Sequence, residues 1–363
     1  GSTEKVLYTN PDEFSGLDFD GKDRIVVATL YSIKLFSLSK NTLLWEVKID
    51  AEKDITDVRM SPDGKTIALS NDDNIIRIVD AANGKVTQIL DGFLNHVDKG
   101  GLNYDANYWD RYIKKYTDLK NDVAISPDGK YLAKGKLGRV VRLWNFKEGK
   151  IIKDLIGHDR VVLTMQFSKN GQYLLTGSAD NTAKLWDVQT GEALVTYKGH
   201  REVIFSVAFS DDGKKIATGS WDGTAKIWDR ETGKLITTLV FEQASPYQLK
   251  FVNNDIYLLA AQLDKTLKLW EVDSKKEVRN FIGHTDVIHS FDIHPGLPVI
   301  ASTSWDGKIK IWDMNTGLQS RRFSDHEGPT YVARYSNSGS MLCTTGADRT
   351  IKVRNTESDY VVT

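Results

Sequence analysis

The sequence predicts an all-β protein assembled from eight repeating units. Three observations carry that reading: a strand-like phrase that recurs, a nearly constant spacing between its copies, and the same turn chemistry between them. The phrase reads Ile33-Lys34-Leu35-Phe36, Ile76-Arg77-Ile78-Val79, Val141-Arg142-Leu143-Trp144, Ala183-Lys184-Leu185-Trp186, Ala225-Lys226-Ile227-Trp228, Leu267-Lys268-Leu269-Trp270, Ile309-Lys310-Ile311-Trp312 and Ile351-Lys352-Val353-Arg354. Its copies are 43, then 65, then five times 42 residues apart, so one interval carries an excess of 23 residues. Each copy alternates apolar and basic positions, the period of a strand with one buried face. Between the strands stand turns such as Ser61-Pro62-Asp63-Gly64, Ser126-Pro127-Asp128-Gly129, Lys169-Asn170-Gly171 and Asp211-Asp212-Gly213. Gly, Asn and Asp accept the backbone angles of tight hairpins, so each unit is read as four short strands.

Composition narrows the function classes. Of 363 residues, 48 are basic and 49 acidic, a balance that argues against nucleic acid or an acidic membrane surface as the main partner. The recurring basic positions Lys34, Arg77, Arg142, Lys184, Lys226, Lys268, Lys310 and Lys352 fall in different units, where they read as solvated alternate positions and not as one stripe. The lone Cys343 excludes an internal disulfide and a cysteine-based zinc site, which fits a reducing, intracellular, cytoplasmic setting. No stretch approaches the run of about 20 apolar residues that spans a bilayer. Gly1-Ser2 reads as a cloning scar, which leaves 3–363 as one domain with an insertion at 91–118.

Gly-His or Asp-His opens many units (Gly157-His158, Gly199-His200, Gly283-His284, Asp325-His326), and Trp-Asp closes the third strand at Trp186-Asp187, Trp228-Asp229 and Trp312-Asp313. With these residues the sequence resembles the WD40-repeat family over practically its whole length. The resemblance implies a β-propeller of four-stranded blades. Eight third-strand phrases imply eight blades; a seven-bladed ring is the alternative, because the first two units lack both Gly-His and Trp-Asp. Closure falls to an N-terminal outer strand at Val6-Leu7-Tyr8, preferred over Tyr360-Val361-Val362.

The resemblance also implies a buried hydrogen-bonded network in each well-preserved unit: His158, Ser178, Asp180 and Trp186; His200, Ser220, Asp222 and Trp228; His284, Ser304, Asp306 and Trp312. The same residues are not three catalytic triads. A triad needs an exposed nucleophile, an oxyanion hole and one privileged copy, and a set repeated blade after blade offers none of these. No catalytic, cofactor or metal site is expected. His289 and His294 lie about 17 Å apart along one strand at about 3.3 Å per residue and cannot share an ion.

In this family three positions per repeat point to the face that carries the Gly-His loops. Carried over, they place Phe205, Trp221, Tyr247, His289, Trp305 and Tyr331 of blades five to eight on one exposed rim, with Leu163 in blade four. The insertion rises from the same face. Its Trp109, Arg111 and Tyr112 lie in a segment whose apolar side, 109, 112, 113 and 116, predicts a short helix. As a lid, it would change partner affinity without unfolding the protein when 100–116 is deleted; insensitivity of that segment to protease would favour an inert, packed insertion.

Exposed aromatics at that density mark a binding surface for a protein or peptide, with an Arg or Lys of the partner set against the rings. The expected function is a non-catalytic interaction scaffold, monomeric as an isolated domain. The alternative is a sensor domain of a larger bacterial signalling ATPase or caspase-like protease. An enzyme is the least supported reading, since no unique acid, base or nucleophile stands out.

Overall fold

The computed structural model describes residues 4–9 through their backbone, and 14–20, 22–40, 42–49, 54–71, 75–90, 123–135, 139–241, 244–324 and 326–356 in full. They form eight four-stranded antiparallel sheets, the blades of an eight-bladed β-propeller. The first strands of blades one to eight are Phe14–Phe19, Ile55–Met60, Val123–Ile125, Val162–Phe167, Ile204–Phe209, Pro246–Val252, Ile288–Ile293 and Thr330–Tyr335. In blades one to seven the chain then meanders outward through three more strands, so strand order in the sheet follows chain order. The insertion at 91–118, with Trp109, Arg111 and Tyr112, lies outside the described residues.

Blade eight is built differently. Its outermost strand is Glu4–Thr9, paired antiparallel with Thr350–Asn355 so that Glu4 stands opposite Arg354 and Thr9 opposite Thr350. The N-terminal strand thus completes a sheet whose other three strands come from the C-terminal end of the chain, and it covers an edge of unpaired amides and carbonyls.

The chain divides into two compact units, residues 1–94 with 281–363 and residues 95–280. Blades one, two, seven and eight belong to the first. Inside it, blade one is buried on both faces: Val26, Ala28, Ile33 and Leu35 pack with Val58, Ile67 and Leu69 of blade two, while Ile25, Val27 and Phe36 pack with Cys343, Ile351 and Val353 of blade eight. The second unit repeats this, with Leu175, Ala183 and Leu185 of blade four against Ile204, Val207 and Trp228 of blade five, and Ala217 and Ile227 of blade five against Leu249, Leu258 and Ala260 of blade six.

Two-sided burial corrects the expectation that the basic positions of the third strand are solvated. A neighbouring blade covers the alternate face as well, and a charge removed from water must find a partner. Lys34 is fully buried and reaches Glu46 at 3.0 Å and Ser32 Oγ at 2.7 Å. Arg142 holds Asp154 through two bonds of 2.6 and 2.7 Å. Lys184 and Lys226 donate to Thr196 and Thr238 at 2.9 and 3.0 Å, and Lys268 pairs with Glu277 at 2.9 Å. Each of these five cations is tied to the outer strand of its own blade, while Arg77 reaches Asn71 on the second strand of blade two at 2.9 Å.

The hairpin turns follow their sequences. Gly64 takes φ +70° and donates to the Ser61 carbonyl at 2.8 Å, while Asp63 accepts the Ser61 hydroxyl at 2.7 Å and the Lys65 amide at 2.9 Å.

Candidate functional site

Each blade end that opens with His is held by a chain of buried hydrogen bonds. In blade four, His158 Nδ1 lies 2.7 Å from Asp180 Oδ2, and His158 Nε2 lies 2.7 Å from the Thr176 hydroxyl. The Trp186 indole donates to the same hydroxyl at 2.9 Å. An indole is only a donor and an ionised carboxylate only an acceptor, so the chain runs in one direction: Trp186 N–H to Thr176 O–H to His158, and His158 Nδ1–H to Asp180. The arrangement recurs as His200, Asp222, Thr218 and Trp228, and as His284, Asp306, Ser302 and Trp312. Blade eight keeps His326, Asp348 and Thr344 but has Arg354, whose guanidinium lies 4.3 Å from the Phe323 ring centre.

The hydroxyl in this chain is not the one read from the sequence. Ser178 touches neither His nor Trp; it donates to the Arg160 carbonyl and accepts the Asp180 amide, both at 3.1 Å, and so fastens the turn. Thr176, Thr218, Ser302 and Thr344 occupy the node. A signal was available, since each lies 18 residues after its His. A hydroxyl at such a node is buried and shared between His and indole, so it is not a nucleophile.

Burial opposes ionisation of the network carboxylates, but hydrogen bonds from His158 and Thr182 outweigh it and hold Asp180 far below the ordinary range. His200 and Thr224 do the same for Asp222, and His284 with the Thr285 amide brings Asp306 down to about 2. Burial pushes His284 below the usual imidazole value, against the pull of Asp306. Blade six lacks the network. Ala260 stands at the node position, and the Trp270 indole N–H has no partner among the described residues.

The loop-face aromatics are less exposed than expected. In the second unit Phe205 and Tyr247 are buried, and Leu163 and Trp221 are half-buried. Trp221 lies over Phe205 with ring centres 5.0 Å apart, and the two close a small apolar cluster with Ala179, Val203 and Leu163. The Trp221 amide donates to the Val203 carbonyl at 3.0 Å and its carbonyl accepts the Ser245 hydroxyl at 3.2 Å, which fixes the turn that carries the ring. In the first unit His289 is buried, with Nδ1 2.9 Å from the Tyr331 carbonyl, and its ring lies 6.3 Å from Trp305 and 5.5 Å from Tyr331. Trp305 and Tyr331 are half-buried. For Phe205 and His289 the cause is local: each packs against the large ring on the adjacent turn, Trp221 or Trp305, which covers it. Trp221, Trp305, Tyr331 and Leu163 still offer apolar surface to solvent. His294 is occupied elsewhere, accepting the amides of Gly296 and Leu297 at 3.1 and 3.0 Å and meeting Tyr335 edge-on.

Eight blades of this connectivity, with a His-Asp-hydroxyl-Trp chain repeated in several of them, define a β-propeller repeat protein. The chain belongs to the WD40-repeat family: the family described as WD domain, G-beta repeat, matches residues 115–145, 149–187, 191–229, 275–313 and 317–355, more than half of its length. The family described as anaphase-promoting complex subunit 4 WD40 domain matches residues 23–92. Among curated relatives, Nuclear distribution protein PAC1 of Coccidioides posadasii is 26% identical over 31% of this chain and 23% of its own length. WD repeat-containing protein 82 of Drosophila melanogaster is 28% identical over 38% of each chain, and Autophagy-related protein 16 of Arabidopsis thaliana is 24% identical over 45% of this chain and 33% of its own. The chain therefore spans well under half the length of the curated relatives it matches. The fold is shared with a crystal structure of the computationally designed Ika8 protein, at TM-score 0.79 and 22% identity over 96% of this chain and 98% of that one.

Proposed function

We propose that this protein is a non-catalytic interaction scaffold that takes a protein or peptide on the loop face of its blades. The observation that supports it best is the placement of Trp221: a large ring on a turn fixed by one backbone hydrogen bond and one from the Ser245 hydroxyl, half-buried over Phe205 and Leu163. A ring held this way loses little freedom on binding, and Trp and Tyr are the side chains that dominate interface energies. Trp305 and Tyr331, braced by His289, supply a second such surface in the first unit. Family membership fits this reading, and the buried, repeated hydrogen-bond chains leave their imidazoles to structure and not to chemistry.

The test is affinity capture with the wild-type protein, followed by titration of the captured partner against the Trp221→Ala/Trp305→Ala double variant. Affinity is expected to fall by about tenfold or more, as for interface hot spots. Because both rings are half-buried, the melting temperature should drop by a few degrees while the cooperative transition persists. Undiminished binding by a folded double variant would remove the loop face from consideration.

A further inference from the structure

The first strands carry a device that the repeat does not require. Asp18 Oδ2, on blade one, accepts the Met60 amide of blade two at 2.8 Å, and its Oδ1 accepts the Phe19 amide at 3.0 Å. Asp292 Oδ2 takes the Tyr335 amide at 3.0 Å in the same way, and in the other unit Gln166 Oε1 takes the Phe209 amide at 3.1 Å. The glutamine shows that a neutral acceptor is enough to bridge two blades. The carboxylate at position 18 therefore contributes something more, its charge. Arg59 on the first strand of blade two and Arg334 on the first strand of blade eight both attract it. Arg59 is also within 3.5 Å of Asp57, and Arg334 donates to Ser290 at 3.1 Å. On blade one's second strand Arg24 is engaged with Asp20 and the Gly64 carbonyl and does not serve Asp18. Blade one is also the neighbour of the blade completed by the N-terminal strand.

We propose that Asp18 is a proton-operated tie joining the first strands of blades one and two. Ionised, it holds the Met60 amide by a charge-assisted bond, with Arg59 and Arg334 favouring the charged form; protonated, it keeps only a neutral acceptor. Burial raises the Asp18 carboxyl above its ordinary value in spite of Arg59, the Met60 and Phe19 amides and Arg334. The tie thus releases in milder acid than an exposed aspartate would need.

The experiment is a nuclear magnetic resonance titration of the full chain with carboxyl-labelled aspartate, Asp18 being assigned by its loss in Asp18→Asn. The Asp18 carboxyl and the Met60 amide are expected to share one midpoint above the ordinary carboxylate value. Arg59→Met and Arg334→Met should each move that midpoint upward by removing a favourable charge. Arg334→Gln replaces the latter if the methionine variant does not fold. In Asp18→Asn the Met60 amide should no longer follow pH in this range. A Met60 amide that ignores the Asp18 midpoint, or a midpoint unmoved in either arginine variant, overturns the proposal.

Discussion

Thr218→Val will be among the most destabilising single changes of near-constant volume in this protein, although it removes only a hydroxyl. His200 Nε2 and the Trp228 indole both end on that hydroxyl, at 2.7 and 2.9 Å in the buried interior of blade five. Valine leaves both polar groups unsatisfied, and each such group costs about 1–3 kcal/mol. The combined loss is about 2–5 kcal/mol, or roughly 3–7 °C in melting temperature for a chain of this size. Blade six supplies the internal control. Its node is already Ala260, and its Trp270 indole N–H has no hydrogen-bond partner among the described residues. Trp270→Phe should therefore cost less than Trp228→Phe by about 1 kcal/mol, because only the latter breaks a hydrogen bond. Equal losses for the two Phe variants in matched thermal melts would refute the account of the network.

Acidification is expected to unlock the same networks, and the sign follows from two opposite depressions. His284 is held below its ordinary value, so it contributes stability above about pH 6.5 that declines as pH falls through that value and the unfolded chain takes up the proton first. Asp180, Asp222, Asp306 and Asp348 are also depressed, so their contribution is present above about pH 4 and is lost as pH falls toward the folded values. For Asp306, held down to about 2, the loss is on the order of 2 kcal/mol. Melting temperature should thus decline gently below pH 6.5 and steeply below pH 4. Asp306→Asn should start lower at neutral pH and show a shallower acid limb. Parallel limbs for the two proteins would show that Asp306 plays no part in the acid response.

Most of the fold was legible in the sequence. The apolar-basic alternation, the 42-residue spacing and the Asp-Gly and Asn-Gly turns are local features whose backbone geometry depends little on distant residues, so strand count and blade count followed from them. Preference for Val6-Leu7-Tyr8 as the closing strand followed from their likeness to other outer strands, and the pairing of Glu4–Thr9 with Thr350–Asn355 agrees. The His and Asp of each network were legible because they punctuate the repeat.

What escaped depends on neighbours across the sheet. Ser178 and Thr176 are equally good hydroxyls in one dimension, and only the register of blade four sets Thr176 between His158 and Trp186. Phe205 and His289 read as surface aromatics by position, yet the turns that carry Trp221 and Trp305 cover them. Lys34 reads as solvated by alternation, yet blade one is packed on both faces.

The sequence alone determined the repeat, its strand periodicity and its turn geometry, because these are set by residues close in the chain. Tertiary structure decided which polar groups meet, which aromatics keep solvent access and where a charge such as Asp18 is shared between blades. Those outcomes depend on the desolvation that one sheet imposes on the next, and no single strand contains that information.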